Sequence, residues 1–305
     1  MKKYFLCTAE SLAFIICLLT FGAVQTACSS DDGQEGTEQR TDGRKVRRLT
    51  ISDVPLTRAT LSDNTNTLGA SWNAGDEATL LNVSAVQSEI LYGNFTAASD
   101  AVTTTFTGSI TCGPQDKLAL IYPEVSLATG NAAFTVSLKE QKGTLSDVAD
   151  RYHYIYGVAQ VTSVTETTAT AYISTMKPLL AVAKFTFKDK ATDKAIPVTT
   201  LTINYKDDYT GGVVGYPQTA TVEPKEKSDE LELTWEPQGD NGWEPLTITL
   251  DVETSDGVYV ALFPCTGEPF SFSVTGSEGT YTGTARATLQ AGKYYPVALK
   301  LNKQN

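Results

Sequence analysis

The chain has 305 residues, of which 41% are hydrophobic and 19% are charged, so it can bury a sizeable core and is not disordered as a whole. Its 24 basic and 35 acidic residues give a net charge of −11, which excludes nucleic-acid-binding classes that depend on basic groups. Threonine is abundant while only 2 methionines occur, and this bias favours β-structure. The length fits two domains of ordinary size.

Residues 1–27 have the pattern of an export signal. A pair of lysines precedes an apolar stretch, residues 12–24, which is too short for a membrane-spanning helix and has the length of a signal-peptide core. The stretch ends in Gln-Thr-Ala-Cys, which resembles a bacterial lipobox and predicts lipidation of Cys28. Because Gln25 replaces the usual aliphatic residue, an ordinary signal-peptidase cut directly before the cysteine is the alternative.

Residues 28–48 predict a flexible tether that is acidic at first and then basic. The acidic part has no apolar periodicity and cannot bury enough surface to fold. It resembles the acidic run that follows the lipidated cysteine in surface-exported lipoproteins of Bacteroidetes. Taken by its residues alone, the run is a solvated spacer.

From residue 49 onward, apolar residues recur at every second position and are interrupted by turn-forming residues, which predicts a sandwich or barrel of short strands. The predicted inward-facing sets are Ala183, Phe185 and Phe187; Leu201, Ile203 and Tyr205; Leu246, Ile248, Leu250 and Val252; Phe270, Phe272 and Val274; and Val297, Leu299 and Leu301. The segment 174–178 interrupts this pattern with a proline, which cannot donate in a ladder. We therefore predict two β-sandwich domains, 49–176 and 177–305.

Two cysteines remain once the signal peptide is removed and Cys28 is assigned to lipid. Cys112 and Cys265 lie far apart in sequence and show no metal-ligand spacing. The favoured interpretation is two buried small hydrophobic residues, and a disulfide between the two domains is the alternative.

Catalytic and metal-binding motifs are weak throughout the chain. His153 is the single histidine, and no recognisable nucleophile elbow accompanies it. Asp207-Asp208 and Asp240-Asn241-Gly242 do not match a calcium-loop spacing and are typical of turns. A pair of catalytic carboxylates is defined by distance in space, so sequence does not decide that case. We predict no enzyme activity, no cofactor and no metal.

Aromatic residues in the second half support a minority hypothesis of sugar binding. Tyr209, Tyr216, Trp235 and Trp243 lie in loop-like segments, where aromatic rings could stack on a glycan. The favoured interpretation is that the two tryptophans fill the second core.

Several segments in order resemble the fimbrillin family of Bacteroidetes. The most specific is Trp72-Asn73-Ala74-Gly75-Asp76, a Trp-x-x-Gly-Asp element followed by an apolar strand. The other segments that carry the resemblance are Ile121-Tyr122-Pro123, Gln141-Lys142-Gly143 at a strand entry, Leu180 to Phe187 at the opening of the second domain, and Ala291 to Val297 in the final strand. The similarity covers nearly the whole mature chain at low motif density.

This resemblance implies a surface lipoprotein that becomes a subunit of type V fimbriae, built from two transthyretin-like sandwiches. In that family an arginine-specific protease removes the N-terminal segment, and a neighbouring subunit fills the exposed groove with its own strand. Arg44, Arg47, Arg48 and Arg58 are candidates for the cut, and Arg48 and Arg58 flank the predicted first strand. The alternative function is a surface-exposed glycan-binding lipoprotein of the outer membrane.

The two ends of the predicted fold carry further expectations. Leu49, Ile51 and Asp53 are predicted on one face of a short edge strand, with Val54 on the other face. No spare donor strand follows Leu301, which favours a minor or tip subunit with an adhesive role over a shaft subunit. Its partners would be other fimbrial subunits and a glycan or protein ligand on a host or bacterial surface.

Overall fold

The protein is described by a computed structural model that covers residues 43–55, 60–63, 68–85, 91–127, 132–206, 212–224, 231–234 and 244–304. Within these ranges, eleven strands precede residue 179: β1 (Lys45–Pro55), β2 (Thr60–Asp63), β3 (Leu68–Ser71), β4 (Glu77–Asn82), β5 (Leu91–Ala97), β6 (Thr103–Cys112), β7 (Lys117–Tyr122), β8 (Phe134–Ser137), β9 (Ile155–Val164), β10 (Thr168–Ile173) and β11 (Lys177–Pro178). Between β8 and β9, a short helix α1 (Leu145–Asp147) continues as a π-helical turn (Val148–Tyr152).

The first large sheet closes on itself. Its strands follow the order β10-β1-β6-β5-β4-β7-β9-β11, and β10 also pairs with β9. All pairings are antiparallel except that between β1 and β10, which is parallel. Inside this sheet a core forms around Trp72, whose ring makes edge contacts with Phe106 and Tyr122 at centroid distances of 5.0 and 5.2 Å.

The second half forms a two-layered sandwich. Its strands are β12 (Ala181–Asp189), β13 (Val198–Lys206), β14 (Val213–Val214), β15 (Thr219–Pro224), β16 (Leu231–Thr234), β17 (Leu246–Thr254), β18 (Val258–Leu262), β19 (Cys265–Gly276), β20 (Gly279–Leu289) and β21 (Tyr294–Lys303). One layer contains β14, β17, β13, β19 and β20, and the other contains β21, β12 and β18. They join where Tyr281 and Thr282 pair with Lys303 and Asn302, and the rings of Phe185 and Phe272 meet across the core.

Elements of both halves contribute to the second core. Strand β8 pairs with β15 in a three-stranded sheet, and Phe134 and Val136 of β8 are buried with residues of the second sandwich. The buried Gln141 side chain binds the backbone of Ala261 on the edge strand β18, accepting from its N–H at 2.8 Å and donating to its carbonyl at 3.0 Å. This amide therefore covers an edge that would otherwise expose unpaired backbone groups.

The all-β fold class is confirmed. The predicted inward faces at Ala183 to Phe187, Leu201 to Tyr205 and Phe270 to Val274 are confirmed by their burial. The prediction for Val252 is wrong, because this side chain at the end of β17 is 77% exposed. Strand pairing switches from the first sheet to the second sandwich between β11 and β12. We keep the boundary near residue 176 as a proposal, since β8 and Gln141 cross it.

Candidate assembly site at the first strand

Strand β1 lies inside the first sheet, between β6 and β10. It pairs antiparallel with β6 from Lys45 to Pro55 and parallel with β10 from Arg48 to Ser52. The prediction of a short edge strand is therefore wrong. The strand begins at Lys45, so the last residues assigned to the tether belong to the sheet, because their backbone groups pair with β6.

The side chains of β1 complete the first core. Leu49, Ile51 and Val54 are fully buried. The predicted face of Val54 is wrong because a bulge between Ile51 and Val54 inserts an extra residue and shifts the alternation. Asp53 occupies the bulge with φ of 53° and stays exposed, as its short polar side chain tolerates this conformation. Burying three such apolar side chains contributes about 1.5–3 kcal/mol each.

Small and apolar residues line the position that β1 fills. The buried lining residues on the two neighbouring strands are Phe106, Ile110 and Cys112 on β6 and Ala169, Ala171 and Ile173 on β10. Leu49 lies opposite Gly108, where a Cβ would come within 2.4 Å of the Asn94 carbonyl oxygen. Only glycine fits there, so this close approach of β5 and β6 fixes the shape of the position beside Leu49. Burial also raises the pKa of the Cys112 thiol.

An ion pair between Arg44 and Asp116 holds the N-terminal end of β1. Asp116 lies in the turn between β6 and β7. The Arg44 guanidinium donates from Nε to Oδ2 and from Nη2 to Oδ1, both at 2.8 Å, and also donates to the Ser84 carbonyl at 3.0 Å. Asp116 accepts two more hydrogen bonds, from the Asn82 amide and the Gly113 N–H, both at 2.8 Å. Burial alone raises the pKa of Asp116, but the hydrogen bonds from Arg44, Asn82 and Gly113 outweigh it and lower the pKa of this carboxyl.

Two further basic residues hold the same end. Arg47 is buried and donates to the carbonyl of Thr165 at 2.8 Å and to the carbonyl of Cys112. Lys45 forms an ion pair with Glu166 at the surface. We call Arg44, Lys45 and Arg47 the basic latch. The basic latch binds β1 to three loops at one end of the sheet, which follow β4, β6 and β9.

The predicted processing residues fall in different places. Arg48 is exposed on β1, and its backbone N–H donates to the Thr167 carbonyl at 3.0 Å. A protease needs an extended, accessible segment, so a cut there requires β1 to leave both neighbours first. Arg58 and Cys28 lie outside the described residues.

The Trp-x-x-Gly-Asp element builds a turn that closes the first core. Trp72 is fully buried, and Gly75 has φ of +90°, which favours glycine. The Asp76 carboxylate accepts from the Asn73 N–H at 2.8 Å and fixes the turn. Burial raises the pKa of Asp76, while its hydrogen bonds with Asn73 act in the opposite direction.

The structure does not bring the other candidate residues together. His153 is buried at the end of the π-helical turn, and Tyr216 is fully buried against Tyr205, so Tyr216 is not part of an exposed aromatic platform. The residues outside the described ranges are Tyr209, Trp235, Trp243, Asp207-Asp208 and Asp240-Asn241-Gly242. Cys112 and Cys265 are both free thiols, so the disulfide alternative is wrong.

Two properties concern the described part of the chain only. No group of three His, Cys, Asp or Glu side chains there is arranged to hold a metal ion. Within the same ranges, the helical segments lack the length and apolarity needed to cross a bilayer.

Sequence reasoning missed Asp116, and it singled out Gln141 only as part of a strand entry, without its contact to Ala261. Arg44 is separated from Asp116 by 72 positions, and Gln141 from Ala261 by 120. No local pattern joins residues so far apart. The available signals were the arginine cluster before residue 49, interpreted as the basic end of a tether and as protease sites, and an isolated acidic residue in a Gly-Pro-Gln-Asp turn.

The fold is similar to that of solved structures of other proteins. No family description and no curated sequence matches the chain. A structure from Bacteroides uniformis, provisionally assigned to cell adhesion, matches 87% of this chain and 95% of its own at a TM-score of 0.50 and 18% identity. A second provisional cell adhesion protein, from Bacteroides eggerthii, covers 84% of this chain and 86% of its own, with a TM-score of 0.41 and 13% identity. A shaft pilin of Lactobacillus rhamnosus covers 86% and 99%, with a TM-score of 0.30 and 10% identity. The similarity to the first structure shows a shared fold.

Proposed function

We propose that the chain is a structural or adhesive subunit of type V fimbriae, of the fimbrillin family, assembled by exchange of its first strand. The observation that carries this proposal is the place of β1. The first strand of the folded chain fills an interior position, completes the core and follows directly on the tether. A single cut after β1 would therefore break its covalent connection to the rest of the fold and make the strand exchangeable.

Removal of β1 would leave two unsatisfied regions at once. The facing edges of β6 and β10 would lose their backbone partners, and the apolar positions of Leu49, Ile51 and Val54 would open to water. A strand donated by a neighbouring subunit supplies both the backbone groups and the side chains, which is β-augmentation. This requirement for a donor makes the partner another fimbrial subunit.

Among the candidate sites, Arg58 fits this mechanism better than Arg48. A cut after Arg58 follows the end of β1 at Pro55 and separates the whole strand, with its basic latch, from the covalent chain that follows. A cut after Arg48 divides β1 and leaves Leu49 to Val54 attached to the sheet. We therefore assign the processing site to Arg58.

Export and location complete the proposal. Cys28 carries the lipid and anchors the precursor at the outer membrane, exposed on the cell surface, and processing transfers the subunit to the fimbria. The provisional adhesion role of the Bacteroides uniformis structure, with its shared fold, agrees with an adhesive contribution of this subunit.

Two sets of variants in the native cell test the proposal. Arg58→Gln should keep its N-terminal segment and be absent from sheared fimbriae, whereas the control Arg48→Gln should copurify with them like the wild type. Equal recovery of Arg58→Gln in fimbriae would contradict the assigned site. Recovery of neither wild type nor control in fimbriae would contradict the function itself.

The lipid anchor has its own test. Cys28→Ala should lose labelling by a fatty-acid analogue and should be released from membranes or stall before processing. Unchanged labelling of this variant would overturn the assignment of Cys28.

A further inference from the structure

The groups of the first sheet that contact the basic latch are mainly hydrogen-bond acceptors. Arg44 and Arg47 reach the Asp116 carboxylate and the carbonyl oxygens of Ser84, Cys112 and Thr165. Glu166 receives Lys45 at the rim. These acceptors come from separate connections of the first sheet, and β1 supplies the donors that join them.

Asp116 makes this end demanding. Its side chain is only 7% exposed and its carboxylate is charged, so it needs donors on every side. Asn82 and Gly113 belong to the sheet and stay when β1 leaves, but the bidentate contact from Arg44 leaves with the strand. Water reaches the Asp116 carboxylate poorly once a strand covers it. An incoming strand without a cation at the place of Arg44 would therefore bury this charge without its partner.

Apolar alternation by itself selects a donor only weakly, since many strands carry apolar residues at alternate positions. It also leaves the register open to slips along the strand. A fixed pair of charges at one end resolves both points. The guanidinium is the group of choice, because its planar fork matches a carboxylate through two parallel hydrogen bonds, which an ammonium cannot do.

We infer that the vacated position selects a donor strand that carries arginine at the places of Arg44 and Arg47, ahead of the apolar residues that replace Leu49, Ile51 and Val54. The inference rests on the proposed strand exchange and names the chemistry of the partner. The occupant is a strand of another subunit with this Arg-x-x-Arg-x-apolar-x-apolar pattern. The acceptors at Asp116, Cys112 and Thr165 read the pattern and set the register.

The test uses the mature chain with the recognition sequence of a site-specific protease in place of residues 56–59. After cleavage, β1 remains bound without a covalent connection and can be displaced by a labelled synthetic peptide covering residues 43–55. Five peptides are compared: the native sequence, a double variant Arg44→Gln/Arg47→Gln, the single variants Arg44→Gln and Arg44→Lys, and a control Arg48→Gln that alters the exposed arginine. Displacement is followed by the label that comigrates with the protein in gel filtration.

We expect the native and control peptides to bind equally, and the double variant to bind at least roughly tenfold more weakly, since hydrogen bonds to charged groups are at stake. The affinity of the Arg44→Lys peptide should fall between those of the native peptide and the double variant. In an Asp116→Asn protein, the difference between native and Arg44→Gln peptides should shrink severalfold, because the partner of Arg44 has lost its charge.

The outcomes separate the two claims. If all peptides displace β1 equally well, the arginine requirement is overturned while strand exchange stands. If no peptide displaces β1, even after mild denaturant is added and removed, the proposed strand exchange fails and the inference falls with it. If Arg48→Gln weakens binding as much as the double variant, general charge attraction replaces the specific acceptors.

Discussion

The first strands of the two halves occupy equivalent places in their sheets, but the chain holds them differently. Strand β1 pairs in parallel with β10, the last full-length strand of the first sheet, and β12 pairs in parallel with β21, the last strand of the second sandwich. Each also has one antiparallel neighbour, β6 or β18. Strand β12 continues covalently into the sandwich and the preceding β11, whereas β1 is the first strand of the described residues.

The two cores therefore differ in how much they depend on a single strand. The second core draws buried residues from both halves, including Phe134, Val136 and Tyr152, and Gln141 covers its edge strand. Among the residues that the structure describes, the first core draws on those between Leu49 and Met176, and β1 closes it. Loss of one terminal strand would therefore affect the first core alone.

Truncation of Leu49 should give the largest effect. Leu49→Ala removes a fully buried side chain and should lower the free energy of unfolding by about 2–5 kcal/mol. The matched control Val46→Ala, on the same strand but 71% exposed, should change it by less than about 0.5 kcal/mol. Urea titration measures both. Equal costs would show that β1 does not depend on its buried face.

Gln141→Leu should weaken the attachment of the first half to the second sandwich. It leaves the N–H and carbonyl of Ala261 without their amide partner, at a cost of about 1–3 kcal/mol. Faster amide exchange at β18 than at β6 would locate the effect. The exposed Gln160→Leu serves as the control, and unchanged exchange at β18 in Gln141→Leu would contradict the role of this side chain.

Asp116→Asn should give a smaller, pH-dependent effect. The folded-state pKa of Asp116 lies below its ordinary value of 3.8, so the charged carboxylate stabilises the fold above that pH. This contribution is lost as pH falls from 3.8 through the folded pKa. The charged and titratable groups that interact with it are Arg44 and Cys112.

Stability at pH 7 and pH 3 measures the effect. The wild type should exceed Asp116→Asn by about 1–3 kcal/mol at pH 7, and the difference should narrow at pH 3. The exposed control Asp256→Asn should differ little from the wild type at either pH. A difference that is constant between the two pH values would show that packing, and not charge, accounts for Asp116.

Thiol labelling should distinguish the two regions without any substitution. Cys265 is half-buried in the second sandwich and Cys112 is fully buried beside β1. In the folded protein an alkylating reagent should modify Cys265 before Cys112, and nicking at residues 56–59 should accelerate the reaction of Cys112 only. A mass showing a disulfide would contradict the free thiols.

Local alternation predicted the strands of the second sandwich well, because residues such as Phe185 and Phe272 face one core and follow a period of two. It failed at β1, where the bulge at Asp53 changes the phase and where the two neighbouring strands come from distant parts of the chain. The contacts of Arg44 with Asp116 and of Gln141 with Ala261 depend on this same long-range pairing. A single sequence carries no local signal for either.

The central claim is that β1 can be replaced by another strand, and that its removal destabilises the first sheet but not the second sandwich. Hydrogen exchange in the nicked mature chain tests this claim directly. It is measured before β1 is displaced, after β1 is removed in mild denaturant, and after the peptide of residues 43–55 is added back. Amides of β6 and β10 should lose protection when β1 is removed and regain it with the peptide, while β12 and β19 stay protected throughout. Unchanged protection of β6 and β10, or loss of protection across both halves, would contradict the claim.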